Sequence, residues 1–238
     1  MKGHIIFLLT IIFCAPVASF AQLDCPPVIG GAKKANDKFH ITAGAGPTVL
    51  YGDLPKSGMS VAFFLKADYR IYKGILVGLE GQIGSLKAAA TIDTLNKRKV
   101  NNGYYAGFVN VTVFPFQFSD KRLSAYSSPT EILLNSFYLG VGFGGIQSEF
   151  KELIEADGTV SNNQGKTTNT FLFPVANAGL AIPVNKYNFN NRTGRYFSVV
   201  FNAQFSMGQN DALDGFVPVQ SQHNDMYTFY SAGIRYSF

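Results

Sequence analysis

Charged residues alternate along one segment of the sequence, where Lys66, Asp68 and Arg70 occupy every second position. Side chains at this spacing point to the same face of a β-strand, so opposite charges would lie side by side. Glu80 and Arg235 fall on the corresponding faces of two further segments. If that face is enclosed, the charges must pair, because an unpaired buried ion costs several kcal/mol. The expected chemistry is therefore an ion-pair network, which joins Glu80 with Lys66 or Arg235, and Asp68 with Arg70 or its neighbours.

Residues suited to catalysis are few. Beyond the N-terminal segment, the histidines are His40 and His223. Ser221 closely precedes His223, and a serine beside a histidine is a candidate nucleophile and base. No recognisable motif surrounds this pair, and Asp211 and Asp214 lack the spacing of a calcium-binding loop. We therefore predict a protein that is not an enzyme and that binds neither a metal nor a cofactor.

The N-terminal segment, residues 1–21, has the pattern of a secretory signal peptide. A short basic start precedes the apolar run Ile5–Val17, and Ala18–Ala21 supplies small residues at the positions that signal peptidase reads. The run is too short to span a bilayer, so an uncleaved membrane anchor is the weaker alternative. Cleavage before Gln22 leaves Cys25 as the single cysteine, which excludes an intramolecular disulfide. We expect an exported chain without an intramolecular disulfide.

Residues 22–38 predict an irregular arm, and after it the sequence alternates in short segments typical of strands. The clearest segment is Met59–Tyr72, where apolar residues occupy the odd positions and mainly polar residues the even ones. No stretch shows a sustained helical period. Eight segments therefore predict eight strands, at Phe39–Leu50, Met59–Tyr72, Gly74–Ser85, Gly103–Phe116, Phe137–Gln147, Thr170–Val184, Phe197–Met207 and Phe229–Phe238.

The polar faces of these strands indicate which solvent the apolar faces meet. Charged residues dominate the surface of a soluble barrel, but these faces consist mostly of Gly, Ser, Thr, Asn, Gln and Tyr. Only 15% of the residues are charged, against about 25% in soluble domains, while the mean hydropathy is only +0.09. A lipid-facing surface around a crowded polar lumen explains both values. We predict an all-β, eight-stranded antiparallel up-and-down transmembrane β-barrel at 39–238, with a soluble lipocalin-type barrel as the alternative.

The last strand carries a further signal. It ends with Tyr236 and Phe238 on the apolar face, preceded by aromatic or apolar residues at every second position. Together with the signal peptide and the eight strands, this resembles the small outer-membrane β-barrels of Gram-negative bacteria, related in plan to the OmpA and OmpX barrels. The resemblance implies location in the cell outer membrane, contact with outer-membrane lipid and lipopolysaccharide, and recognition of Tyr236 and Phe238 by the barrel-assembly machinery. Two features depart from it: Trp is absent, and residues 117–136 are long for a periplasmic turn.

The sequence favours a structural or surface-interaction role through long extracellular loops, with an unidentified extracellular or periplasmic protein partner. Eight strands leave just enough room for side chains, so we expect a closed polar lumen. The length of the segment 117–136 favours a periplasmic docking element. A small porin-like channel for ions or solutes is the first alternative, and a lipid A-modifying enzyme using His223 is the second. The net charge of +5 is spread along the chain, without the basic patch of a nucleic-acid-binding protein.

Overall fold

The computed structural model describes residues 37–52, 56–90, 97–118, 127–155, 157–184, 195–209, 213 and 225–238. The predicted signal peptide at 1–21 and the predicted arm, apart from Asp37 and Lys38, lie outside these residues. Within them, no helix is long and apolar enough to cross a bilayer.

Eight antiparallel strands, each paired with its neighbours in the sequence, form a closed barrel in which β1 also pairs with β8. The predicted number of strands, their general positions and the up-and-down order are confirmed, but the fourth strand ends at Val113 instead of the predicted Phe116, because the chain turns into a 3-10 helix at Pro115. The strands are β1 (Phe39–Tyr51), β2 (Lys56–Tyr72), β3 (Ile75–Ala89), β4 (Lys99–Val113), β5 (Phe137–Ile154), β6 (Thr167–Pro183), β7 (Tyr196–Gly208) and β8 (Met226–Ser237).

The two ends of the barrel differ in their connections. At one end, here called the terminal end, β1 begins and β8 ends, and Phe39 and Phe238 exchange backbone hydrogen bonds of 3.0 and 2.9 Å. The turn between β2 and β3 also lies there, and Gly74 adopts a φ of 79° that glycine accommodates without strain. The opposite end, here called the loop end, carries the connections that follow β1, β3, β5 and β7.

Alternation along the strands sorts the side chains as predicted. In β2, Met59, Val61 and Phe63 are exposed, while Ser60, Ala62 and Phe64 are buried inside the barrel. The outward positions of β1, β6, β7 and β8 carry no charged residue. A water-facing surface would be dominated by charged residues, so an exterior of this kind is matched to lipid.

Several strands are longer than predicted, and the additions lie at the loop end. β5 continues beyond Gln147 to Ile154, with Glu149 and Lys151 exposed on its outer side. The backbone hydrogen bonds between the strands continue there. The apolar alternation stops, because the outer face at this level no longer has to be apolar. The sequence pattern therefore marks where the apolar surface ends rather than where the strand ends.

The connection between β4 and β5 contains helical structure that the sequence analysis missed. A 3-10 turn spans Pro115–Phe118, and helix α1 spans Pro129–Ser136 and leads directly into β5. The helix begins with a capping box, in which Ser128 Oγ accepts from the Glu131 N–H and the Glu131 carboxylate accepts from the Ser128 N–H. A helix of this length shows little periodicity, but Ser128-Pro129-Thr130-Glu131 is a recognisable helix start.

Candidate functional site

The side chains inside the barrel form three layers. The middle layer is polar and includes Lys66, Asp68, Glu80 and Arg235, all of which are buried. An apolar layer fills the lumen toward the loop end, and a smaller apolar layer lies toward the terminal end. The lumen is therefore less polar than the sequence predicted, because apolar layers fill both ends and polar residues are concentrated in the middle.

Asp68 lies between two cations in the middle layer. Its Oδ1 is 3.4 Å from Lys66 Nζ, and its Oδ2 is 3.5 Å from Arg235 Nη2. Within the described part of the chain, neither oxygen accepts a hydrogen bond, so both contacts are ion pairs slightly beyond hydrogen-bonding distance. The carboxylate therefore balances positive charges from β2 and β8.

Both cations have further partners that hold them in place. Lys66 Nζ donates to Thr112 Oγ1 at 3.2 Å, and Arg235 Nε donates to Thr42 Oγ1 at 3.1 Å. The Arg235 guanidinium also lies 5.9 Å from the centre of the Tyr138 ring, within cation–π range. Arg235 thus connects β8 with β1, β2 and β5 through one side chain.

Glu80 is held by amide side chains. Its two carboxylate oxygens accept hydrogen bonds from Gln82 Nε2 at 2.7 Å and from Asn110 Nδ2 at 3.0 Å. Lys66 is its cross-strand neighbour in the register of β2 and β3. Gln82 Nε2 also donates to Gln204 Oε1 at 2.8 Å, so a chain of polar groups crosses the lumen from β4 through β3 to β7. These amides were not among the predicted site residues, and their inward parity in the strands is the signal that could have found them.

Arg70 lies apart from Asp68 and forms its ion pair at the terminal end. Its Nη1 is 2.5 Å from Asp37 Oδ1, and the hydroxyl of Tyr196 donates to Asp37 Oδ2 at 2.7 Å. Asp37 therefore joins β2 to β7 across the end of the barrel. The sequence does not indicate this role, because Asp37 belongs to the predicted irregular arm at 22–38. His40 is buried nearby, with its Nδ1 2.7 Å from Ser237 Oγ.

Aromatic side chains fill the lumen between the middle layer and the loop end. Tyr104 and Tyr227 lie with ring centres 5.8 Å apart, and Phe64 meets Phe229 edge to face at 5.9 Å. All four belong to the larger apolar cluster.

Leu213, from the connection between β7 and β8, closes this cluster at the loop end. Its side chain is fully buried, its N–H donates to Asp225 Oδ2 at 2.7 Å, and its carbonyl accepts from Asn102 Nδ2 at 2.5 Å. Because both backbone groups are hydrogen-bonded, a residue from a surface connection is held inside the barrel mouth.

Glycines make room for the large inward side chains. Gly78 faces Asp68 in the register, and a Cβ at this position would overlap the Asp68 carboxylate. A Cβ at Gly142 would likewise overlap Asn110. Glycine is therefore required at these positions by the close approach of a polar side chain from the next strand, as expected for a crowded lumen.

Charged residues on the outer surface gather at the loop end of β3, β4 and β5. Lys87, Lys99 and Lys151 are exposed there, together with Glu149. Lys99 Nζ is 2.9 Å from Glu152 Oε1. Lys87 and Lys151 therefore lie, with Glu149, on the outer face at the loop end.

The remaining predicted site residues fall into two groups. Tyr236 and Phe238 face outward at the terminal end and stack with ring centres 5.7 Å apart, and their role as an assembly signal stays a prediction. His223, Ser221, Asp211 and Asp214 lie outside the described residues. In the described ranges, no group of three or more His, Cys, Asp or Glu side chains could hold a metal ion.

The fold and the site together define a closed eight-stranded β-barrel with an apolar exterior and a filled interior. It is similar to the crystal structure of Neisserial surface protein A (NspA), with 13% identity over 84% of this chain and 97% of that chain, and a TM-score of 0.48. It is also similar to the attachment invasion locus protein Ail of Yersinia pestis, solved with the heparin analogue sucrose octasulfate (14% identity, 84% and 98% covered, TM-score 0.39). OprG from Pseudomonas aeruginosa, described as an outer membrane protein, matches with 11% identity over 87% and 99%, and a TM-score of 0.42.

These likenesses concern the fold. No protein-family profile matches the sequence, and no curated protein sequence matches it either.

Proposed function

We propose that this chain is an integral outer-membrane barrel with a closed lumen, which acts as a structural or surface-interaction protein through its loop end. The observation that supports this most strongly is the contrast between the two faces of the strands. The exterior is apolar, with Met59 72% and Leu79 64% exposed, while the interior is packed with side chains that are almost inaccessible. A continuous outer surface of large apolar residues at such exposure indicates contact with another apolar phase.

Three barriers support the closed lumen. The aromatic layer of Tyr104, Tyr227 and Phe229 blocks the loop-end half, and these side chains are at most 1% exposed. The paired charges of the middle layer cross-link the strands behind it. At the terminal end, the Asp37–Arg70 ion pair bridges the barrel once more. An ion would have to displace all three to cross.

A small channel is the second candidate, and the middle layer is what favours it. Lys66, Asp68, Glu80 and Arg235 form the kind of charged surface that lines ion pathways. The apolar layers on both sides of it argue against steady conduction, because an ion would have to pass through them without polar partners.

The proposed orientation places the terminal end in the periplasm and the loop end outside the cell. In this orientation Lys87 and Lys151 face the phosphate-rich headgroups of lipopolysaccharide, which we propose as a lipid partner. The barrel-assembly machinery is the proposed partner during insertion. Arg or Lys above an apolar belt attracts anionic lipid groups by charge.

Two experiments test the proposed function, one in cells and one with the purified chain. Fractionation of expressing Gram-negative cells should place the protein in the detergent-soluble outer-membrane fraction, and recovery in the soluble fraction would contradict membrane insertion. In planar bilayers the refolded barrel should show no discrete conductance steps, with a refolded porin as the positive control. Reproducible steps would overturn the closed lumen and favour the channel.

A further inference from the structure

We propose that helix α1 and the 3-10 turn before it form a membrane-interface element, whose apolar face contacts the phospholipids of the periplasmic leaflet. This inference rests on the proposed membrane insertion and orientation of the barrel. It replaces the expected docking of a periplasmic protein with a lipid partner.

Helix α1 has a buried side and an exposed apolar side. Ile132, Asn135 and Ser136 are partly or fully buried and lie on the side of the helix that packs against the barrel. Leu133 and Leu134 lie on the other side, and each is 44% exposed. In a helix surrounded by water, the face turned away from the protein is normally polar. Here that face presents two leucines beside Thr130 and Glu131.

The 3-10 turn extends the same apolar surface. Phe116 and Phe118 are 43% and 45% exposed, and the turn contains no charged residue. Gln117 Nε2 donates to the carbonyl of Asn135 at 3.0 Å, which fastens the turn to the end of α1. The two pieces therefore form a single surface, although 119–126 lie outside the described residues.

This apolar surface is continuous with the lipid-facing exterior of the barrel. The Phe116 ring lies 6.3 Å from the ring of Phe137, the first residue of β5. Two positions later, Leu139 is 49% exposed on the outer face of the same strand. The apolar exterior of the barrel thus runs through Phe137 onto the turn without a polar gap.

An aromatic girdle lies at the same end of the barrel. Phe39 contacts Tyr69 and Phe238 with ring centres 4.8 and 5.9 Å away, and Phe197 contacts Tyr236 at 4.9 Å. Aromatic girdles mark the level at which a barrel crosses the membrane–water interface. The element that contains α1 is therefore at the level of the lipid headgroups, where an amphipathic helix binds with its apolar face in the acyl boundary.

Charge at this end also matches a phospholipid surface. The exposed basic residues described there are Lys38, Lys73 and Arg195, and the exposed acidic residue is Glu131. Positive charge beside an apolar face favours anionic headgroups. A lipid partner satisfies both the apolar face and the charge.

The absence of Trp from the chain makes a direct test simple. Single-tryptophan variants Leu133→Trp and Leu134→Trp of the full chain are refolded into phosphatidylethanolamine–phosphatidylglycerol vesicles, with or without acyl chains brominated near the glycerol. Leu139→Trp is the lipid-facing control, and Asn162→Trp, in the exposed connection between β5 and β6, is the water-facing control. Heat-dependent gel mobility verifies that each variant is folded, and Phe118→Trp provides an independent position on the same surface.

Bromination should remove at least half as much fluorescence at positions 133 and 134 as at 139, with emission shifted to the blue relative to position 162. The inference would be overturned if position 139 is quenched but positions 133, 134 and 118 show water-like emission and no quenching. That result would leave the insertion of the barrel intact. No quenching at 139 would instead contradict membrane insertion, and with it this inference.

Discussion

Replacing Asp68 with asparagine tests whether the middle layer holds the barrel together by charge. The substitution keeps the shape of the side chain but leaves Lys66 and Arg235 without the carboxylate that lies 3.4 and 3.5 Å from them. Loss of one partner from a buried ion pair costs about 3–5 kcal/mol. Because both contacts are longer than the ~2.8 Å of a tight charge-assisted hydrogen bond, we expect a loss near the lower end, ~3 kcal/mol in the free energy of unfolding.

The assay is reversible urea unfolding in phospholipid vesicles, followed by heat-dependent gel mobility. The double variant Asp68→Asn/Lys66→Gln removes one charge of each sign and should recover at least half of the loss. Lys99→Gln breaks the exposed Lys99–Glu152 pair and serves as the control, with an expected effect below ~1 kcal/mol. If Asp68→Asn costs no more than this control, or if the second substitution adds to its cost, the charge argument is wrong.

Three further outcomes are expected. Gly78→Ala should cost about 1–3 kcal/mol in the same assay because its Cβ overlaps the central carboxylate, whereas Gly81→Ala in the same strand, with no atom near the added methyl group, should be neutral; equal effects would refute the packing argument. Leu213→Ala should cost about 2–5 kcal/mol by leaving a cavity in the apolar layer, and an unchanged unfolding midpoint would show that the residue is not packed there. Hydrogen bonds from the Thr159 hydroxyl and N–H lower the pKa of Asp157, so the stability that they give the turn is present above the ordinary pKa of an aspartate and is lost as the pH falls through the lowered value. Thr159→Val should therefore raise the Asp157 midpoint in an NMR titration. An unchanged midpoint would contradict the assigned cause.

The sequence predicted the barrel well because one physical requirement acts on every strand. Residues such as Met59, Val61 and Phe63 face lipid whatever their neighbours are, so the alternation is visible in each strand separately. Outward residues have to be apolar only where the surface meets lipid. The extension of β5 to Ile154 lies beyond that surface and was therefore not predicted. Helix α1 was missed because its start is marked by a capping box rather than by periodicity.

The interior was harder to predict than the fold. Parity predicts that Lys66, Asp68 and Arg235 face inward, but the distances between them depend on the register of strands that are far apart in sequence. Asp37, the partner of Arg70, precedes β1 and belongs to no alternating segment. The hydrogen bonds that fix the backbone of Leu213 come from Asn102 and Asp225, which lie in different parts of the chain. Such contacts follow from closure of the barrel, which no local pattern describes.

The central claim is that the outer face of the strands meets lipid while the inner face meets neither lipid nor water. Nitroxide labels at single cysteines along β7, in a Cys25→Ser background in bilayers, test both parts at once. Labels at Val199, Phe201 and Ala203 should collide freely with oxygen and rarely with a water-soluble nickel chelate, while labels at Val200 and Asn202 should collide rarely with both. Frequent nickel collisions at the inner positions, or at all positions, would contradict the closed lipid-embedded barrel.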